Sequence, residues 1–128
     1  MVSSFHVLLF NRLCMSNDAL IAKYEGLLKA RPKDELILFS LGKALLDGAR
    51  VDEADACLRM ALDLKPDWMI VTMLLAKIAG IKKDLISEKE LWEKGLQLAI
   101  AQNHEGPEEE CRAELKRIEH MQNVQQQA

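Results

Sequence analysis

The side chains best suited to metal binding or nucleophilic chemistry are few and widely separated in this 128-residue chain. They are three cysteines and three histidines: Cys14, Cys57 and Cys111, and His6, His104 and His120. No C-x-x-C or H-x-x-x-H pair occurs, so the spacing that places two ligands on one metal ion is missing. The odd number of cysteines argues against a disulfide framework and favours a reducing, cytoplasmic location. We therefore predict no metal site and no cofactor.

Catalytic motifs are also missing from the sequence. It contains no G-x-G-x-x-G, P-loop or G-x-S-x-G motif. Glu108 and Glu110 follow a proline at a predicted helix start, where carboxylates interact favourably with the helix dipole. We predict that the chain is not an enzyme. A thiol-based enzyme using Cys57 or Cys111 is the alternative, although no His or Lys cluster beside either cysteine supports a reactive thiolate.

Charge and hydropathy narrow the class of partner. The formal net charge is −3, and a mildly acidic chain without a basic stripe is not held on nucleic-acid phosphates. The apolar stretch SSFHVLLF near the N-terminus is too short to span a bilayer and lacks the basic start of a signal peptide. We predict a protein or peptide partner, and neither nucleic acid nor membrane.

The elements that carry these residues are predicted to be helices, because Leu, Ala, Glu and Lys dominate and proline is scarce. One segment places large and small residues in a regular order: Leu38, Leu41, Gly42, Leu45, Ala54, Leu58, Ala61 and Pro66. A shift of 34 residues keeps most of this order: Leu75, Ala76, Ala79, Trp92 and Gly95. Three positions depart from it, since Leu38 becomes Thr72, Ala54 becomes Glu88 and Pro66 becomes Ile100.

This pattern resembles the tetratricopeptide repeat, whose 34-residue signature is W-x2-L-G-x2-Y, then A-x3-F, then P. The resemblance implies an all-α fold, a short α-solenoid of antiparallel helix pairs with a C-terminal capping helix. Small residues would let the paired helices approach while leucines fill the gaps between them. In particular, Gly42 and Ala54 would lie where one pair crosses, and Ala61 where the next repeat's first helix packs.

The same alignment predicts the domain organisation. A single helical domain would cover residues 15–125, with a partial repeat at 17–34, repeats at about 35–68 and 69–102, and a capping helix at about 107–122. Residues 1–14 are interpreted as an extension before a functional start at Met15, or as one further helix.

Local signals predict where the helices begin and end. Asp34 and Asp67 follow prolines and could cap the next helices, and Gly48 suits a left-handed residue at a helix end. Either a capping box of Ser87 with Glu90, or Asp84, would open the helix that follows.

In proteins of this family the inner groove is built from the first helix of each pair. Carried over to this sequence, the groove positions are Leu36, Phe39, Lys43 and Leu46, then Ile70, Met73, Lys77 and Gly80. Lys43 and Lys77 are one repeat apart, so we expect them side by side, about 10 Å apart. Two ammonium groups beside apolar residues suit an acidic, apolar peptide or a C-terminal carboxylate.

One subset of these proteins grips chaperone C-termini with a carboxylate clamp of Lys, Arg and two Asn. The corresponding positions here hold Phe39, Ser40, Met73 and Leu74, so the clamp is not expected. The resemblance implies a scaffold that binds a peptide or helix of a partner protein in the groove. The alternative is an assembly protein that dimerises, or a chaperone that holds a secretion or complex subunit.

Overall fold

The computed structural model describes the backbone of residues 4–127 and the side chains of residues 17–127. Over this range the chain is helical without strands: α1 (Ser4–Ala30), α2 (Glu35–Asp47), α3 (Val51–Leu64), α4 (Met69–Ile81), α5 (Leu85–Ala101) and α6 (Glu105–Gln127). It divides into two compact units, the first ending at Leu64 and the second beginning at Lys65. The predicted single domain over residues 15–125 stays a prediction.

In the first unit, α1 packs against α2 and α2 pairs with α3. The three-residue connection after Asp47 makes α2 and α3 an antiparallel hairpin. A β-carbon on Gly42 would lie 2.7 Å from two side-chain carbons of Leu58, which is fully buried. Gly42 therefore lies at the close approach of the two helices, as the repeat pattern predicts. Ala61 is also fully buried, but its predicted contact with the next repeat stays a prediction.

In the second unit, α5 packs against both α4 and α6. Its core is formed by Met69, Met73, Ala76, Trp92, Ala99, Cys111 and Ile118. A β-carbon on Gly95 would lie 3.3 Å from Cys111 of α6 and from Met73 of α4. Gly95, which lies 34 residues after Ala61, thus lets α6 pack closely against α5. The last helix, α6, extends beyond the predicted 107–122 at both ends.

Residues 4–30 form one continuous helix, α1. The sequence predicted either an extension or a separate helix over residues 1–14, and neither alternative includes a helix that continues across Met15. Residues 1–3 lie outside the described part of the chain, and so do the side chains of His6 and Cys14. The proposed functional start at Met15 stays a prediction.

Two of the predicted caps form and two do not. The Asp34 side chain accepts from the backbone N–H groups of Leu36 and Ile37 at 3.0 and 3.2 Å. Asp84 opens α5 by accepting from the Ser87 N–H at 3.2 Å, so the Asp84 alternative is correct rather than the capping box. The prediction for Asp67 is wrong, because α4 begins after Trp68 without a side-chain cap.

The left-handed residue that ends α2 is Ala49, with φ 62°, and the prediction of Gly48 is wrong because its φ is −85°. The Arg50 N–H donates to the Leu45 carbonyl at 2.9 Å across this turn, which is the Schellman arrangement. Lys83, 34 residues later, ends α4 with φ 59° and the equivalent bond from Asp84 to Ala79. The turns therefore repeat with the same period as the core residues.

Candidate functional site

The predicted groove positions on α2 are accessible in the first unit. Leu36 is 65% exposed, Lys43 is exposed, and Phe39 and Leu46 are half-buried. Phe39 and Lys43 line a shallow hollow of about 330 Å³ between α1 and α2, and Tyr24 of α1 contributes to its wall. An aromatic ring and an ammonium group therefore share one small concave surface.

The predicted positions on α4 separate into exposed and buried residues. Ile70 is 50% exposed, and the side chain of Lys77 is 48% exposed. Met73 is only 6% exposed and lies in the core beside Gly95 and Cys111, because these small residues leave room for its side chain. Met73 therefore belongs to the packing between helices in the second unit, and its predicted place on the groove surface is not the one observed.

Lys77 already contacts a carboxylate of its own unit. Its Nζ lies 3.1 Å from Oε1 of Glu110 on α6, and both side chains are about half exposed, at 48% and 43%. Because an exposed ion pair is worth at most about 1 kcal/mol, a partner carboxylate could replace Glu110. Lys43 and Lys77 lie in different units, so their predicted pairing side by side stays a prediction.

A buried carboxylate in the second unit was not predicted as a site residue. Glu88 on α5 is 4% exposed and accepts a hydrogen bond from the Trp92 indole N–H at 3.1 Å. It also forms an ion pair with the Arg117 guanidinium of α6. A β-carbon on Gly80 would come within 3.0 Å of the Glu88 carboxylate, so the absence of a side chain at Gly80 makes room for this charge.

The sequence contained one indication of this network of Glu88, Trp92 and Arg117. Glu88 occupies the position where the better-conforming repeat has the small residue Ala54. A charged residue at a buried position needs a partner of opposite charge, and Arg117 supplies it from 29 residues away. The departure was visible, but the identity of the partner depended on how α6 packs.

The network borders a pocket of about 660 Å³ between α4, α5 and α6. Apolar groups on its wall include Ile81, Leu85 and Met121, with the Trp92 ring beneath them. Its charged lining residues are Lys77, Lys83, Glu88, Glu114 and Arg117. Ile81 and Met121 are 57% and 40% exposed, so the pocket opens to solvent with apolar groups at its mouth.

Of the thiols and histidines, the structure describes the side chains of Cys57, which is partly buried, Cys111, which is buried, and two histidines. Burial raises the pKa of the Cys57 thiol and of the Cys111 thiol, which disfavours the reactive thiolate. His104 and His120 are exposed. Within the side chains that the structure describes, no three metal-ligating groups converge. Across the same part of the chain, no helix combines the length and the apolar character needed to span a membrane.

Comparison with known proteins found similar structures but no matching sequence family. No protein-family model matches the chain, and no curated protein matches it. A solution structure of the Bordetella parapertussis protein BPP2914 is 24% identical with a TM-score of 0.74, covering 84% of this chain and 94% of that one.

Two further solved structures are similar over most of the chain. The type III secretion translocator chaperone SycD of Yersinia enterocolitica has a TM-score of 0.81 at 13% identity, covering 96% of this chain and 90% of that one. The first TPR of Spaghetti (RPAP3), bound to the HSP90 peptide SRMEEVD, has a TM-score of 0.72 at 16% identity, covering 84% and 81%. Together with the antiparallel helix pairs and the 34-residue period, these likenesses confirm the predicted fold: the chain is an all-α protein of the tetratricopeptide repeat-like fold.

Proposed function

We propose that the chain is a protein-interaction module that binds a peptide or helix of a partner protein through the exposed faces of α2 and α4. The binding residues would be Leu36, Phe39, Lys43, Leu46, Ile70 and Lys77. The observation that carries the proposal is the hollow of the first unit, where Phe39 and Tyr24 lie beside Lys43.

The hollow is lined by two aromatic rings, the Lys43 ammonium and the Asp47 carboxylate, and we propose that it receives an apolar segment whose acidic group contacts Lys43. Aromatic side chains provide contact area with little rotamer freedom to lose, and residues in such hollows tend to dominate binding energy. A cation at the rim selects carboxylates and accelerates association. Amphipathic helices and extended peptides both present apolar and acidic side chains at regular spacing, and both dock in grooves between helices.

The structural likeness to the first TPR of Spaghetti supports a peptide ligand, because that protein was solved with a bound HSP90 peptide. The ligand itself is not carried over. The clamp positions of this chain hold Phe39, Ser40, Met73 and Leu74, and none of them is the Asn that the clamp requires. We therefore expect a partner other than a chaperone C-terminus.

Affinity purification of the intact protein, with identification of the recovered proteins, tests the proposal. Recovery of the principal partner should fall about tenfold for Lys43→Glu and further for Lys43→Glu with Lys77→Glu, because each change places a carboxylate against an acidic ligand. Lys29→Glu on α1 is the matched control, since Lys29 is exposed and does not line the hollow. Unchanged recovery in both single variants and the double variant would refute this surface.

A second candidate function is assembly or chaperoning, in which the chain dimerises or holds a secretion or complex subunit. The likeness to SycD over 96% of this chain favours it. Light scattering at micromolar concentration separates the two, because a strict monomer would argue against dimerisation. The absence of enzymatic activity, of a cofactor and of nucleic-acid or membrane partners, and the cytoplasmic location, stay predictions.

A further inference from the structure

The pocket of the second unit has a fixed cation at its edge. Arg117 is held at each guanidinium nitrogen: Nε donates to Glu114 at 2.8 Å, one terminal nitrogen contacts the Met121 sulfur at 3.2 Å, and the other contacts Glu88. The hydrogen bond that Arg117 donates to Glu114, followed by the charge of Glu88, raises the pKa of Arg117. The side chain nevertheless keeps 44% of its surface exposed.

The buried position of Glu88 explains how the Arg117 guanidinium keeps its orientation. A free surface arginine loses side-chain entropy when a ligand immobilises it. Here the carboxylate lies under the guanidinium, with Trp92 and the space at Gly80 fixing its own position. The guanidinium has five N–H donors, so donors remain for an incoming acceptor after these contacts are made.

The pocket is lined by three cations and two carboxylates, and the excess of one positive charge favours an anionic group of the partner. Lys83 lines the pocket, and its ammonium makes no ion pair or hydrogen bond with the described residues. Lys77 is tied to Glu110 only by an exposed pair. Of the two lining carboxylates, Glu88 is buried against Arg117 and Glu114 is bonded to the same guanidinium.

We propose that this pocket receives one apolar side chain of the partner, together with the carboxylate of a neighbouring acidic residue. The apolar group would lie between Ile81, Leu85 and Met121, and the carboxylate would accept from Arg117 and Lys83. Glu88 is a positioning residue, which acts through Arg117. The inference rests on the proposed function and extends its α4 surface, since Lys77 also lines the pocket, with a defined ligand chemistry.

Peptide titration followed by ¹H–¹⁵N NMR tests the pocket directly, because the chain has two tryptophans. Trp92 lines the pocket, whereas Trp68 does not and serves as the internal control. The probe is a pool of blocked hexapeptides made from Leu, Ile, Phe, Asp and Glu. A second pool has Lys and Arg in place of the acids. We expect the acidic pool alone to shift the Trp92 indole signal, with the Trp68 indole signal unchanged.

Variants then test the charges. Lys83→Glu should weaken the acidic pool about tenfold, the factor that corresponds to about 1.4 kcal/mol, and Lys94→Glu on the exposed surface of α5 should not. Glu88→Gln keeps an acceptor for the indole of Trp92 but loses the charge under Arg117. It should broaden the Arg117 Nε–H signal, because the guanidinium loses the charged partner that fixes its orientation.

The outcomes separate this proposal from the broader one. Shifts confined to first-unit signals such as Tyr24 would leave the proposed function standing and overturn the pocket. Equal Trp92 shifts with both pools would overturn carboxylate recognition. No Trp92 shift at millimolar peptide would also overturn the pocket. The proposed function would still be decided separately, by comparing the partner recovered with the unaltered protein and with Lys43→Glu. Unchanged affinity in Lys83→Glu would overturn carboxylate recognition at the pocket, and an Arg117 Nε–H signal that stays sharp in Glu88→Gln would show that Glu88 does not position the guanidinium.

Discussion

Replacing Gly42 with alanine tests the close approach of α2 and α3. The new β-carbon would lie 2.7 Å from Cγ and Cδ2 of Leu58, and Leu58 is fully buried, so it has no open space to move into. Overpacking of this kind costs about 1–3 kcal/mol, whereas alanine gains about 1 kcal/mol over glycine within a helix. We expect a net loss of about 0–2 kcal/mol in the free energy of unfolding, measured by urea denaturation with circular dichroism.

A matched control isolates the contact from helix propensity. Gly26 also lies within a helix, α1, but a β-carbon there would meet nothing within 4 Å. Gly26→Ala should therefore stabilise the protein by about 0.5–1 kcal/mol. In a Leu58→Ala background the clash disappears, so Gly42→Ala should become stabilising as well. If Gly42→Ala alone raises stability as much as Gly26→Ala, the close approach of α2 and α3 is wrong.

Three further predictions concern the caps, the buried carboxylate and the thiols. Asp34→Ala should lower the free energy of unfolding by about 1 kcal/mol, because Asp34 caps α2. Asp67→Ala should change the free energy of unfolding little, because α4 has no side-chain cap. Chemical denaturation of the two variants measures the difference. Glu88→Ala leaves a buried indole N–H without its acceptor, so the unfolding midpoint should fall by an amount equivalent to about 1–3 kcal/mol, and a midpoint equal to that of the unaltered chain would contradict the network. Burial raises the pKa of Cys57 and Cys111, so these thiols should react slowly with iodoacetamide at neutral pH. Stability present below the unfolded thiol pKa of about 8.5 should decline as pH rises above it, which thermal unfolding at pH 7 and pH 10 can measure.

The repeat pattern predicted the helix pairs because packing restricts residue size at fixed positions. Gly42 and Gly95 are small where a second helix comes close, and Leu58 and Trp92 are large where the core must be filled. These constraints depend on local sequence and on a constant helix geometry, so a 34-residue shift reveals them. Asp34 was predictable for the same reason, since an N-cap needs only its own helix.

Helix ends were predicted less well. Gly48 was the natural choice for a left-handed residue, yet Ala49 adopts that conformation. The hydrogen bonds from Ala49 to Leu46 and from Arg50 to Leu45 offset the strain of about 1–2 kcal/mol that a side chain adds there. The preference of a residue type for the left-handed conformation does not include the hydrogen bonds that the backbone forms across a turn.

The sequence by itself determined the helical pairs, the small residues at their crossings and the mildly acidic character of this protein, because each follows from side-chain size, periodicity or charge. Only the tertiary structure decided that Met73 is buried in the core, that Lys77 contacts Glu110, and that Glu88 lies under Arg117. The reason is physical: these contacts join residues 22 to 38 positions apart in the chain, and whether a side chain is buried or exposed depends on the helix that packs over it.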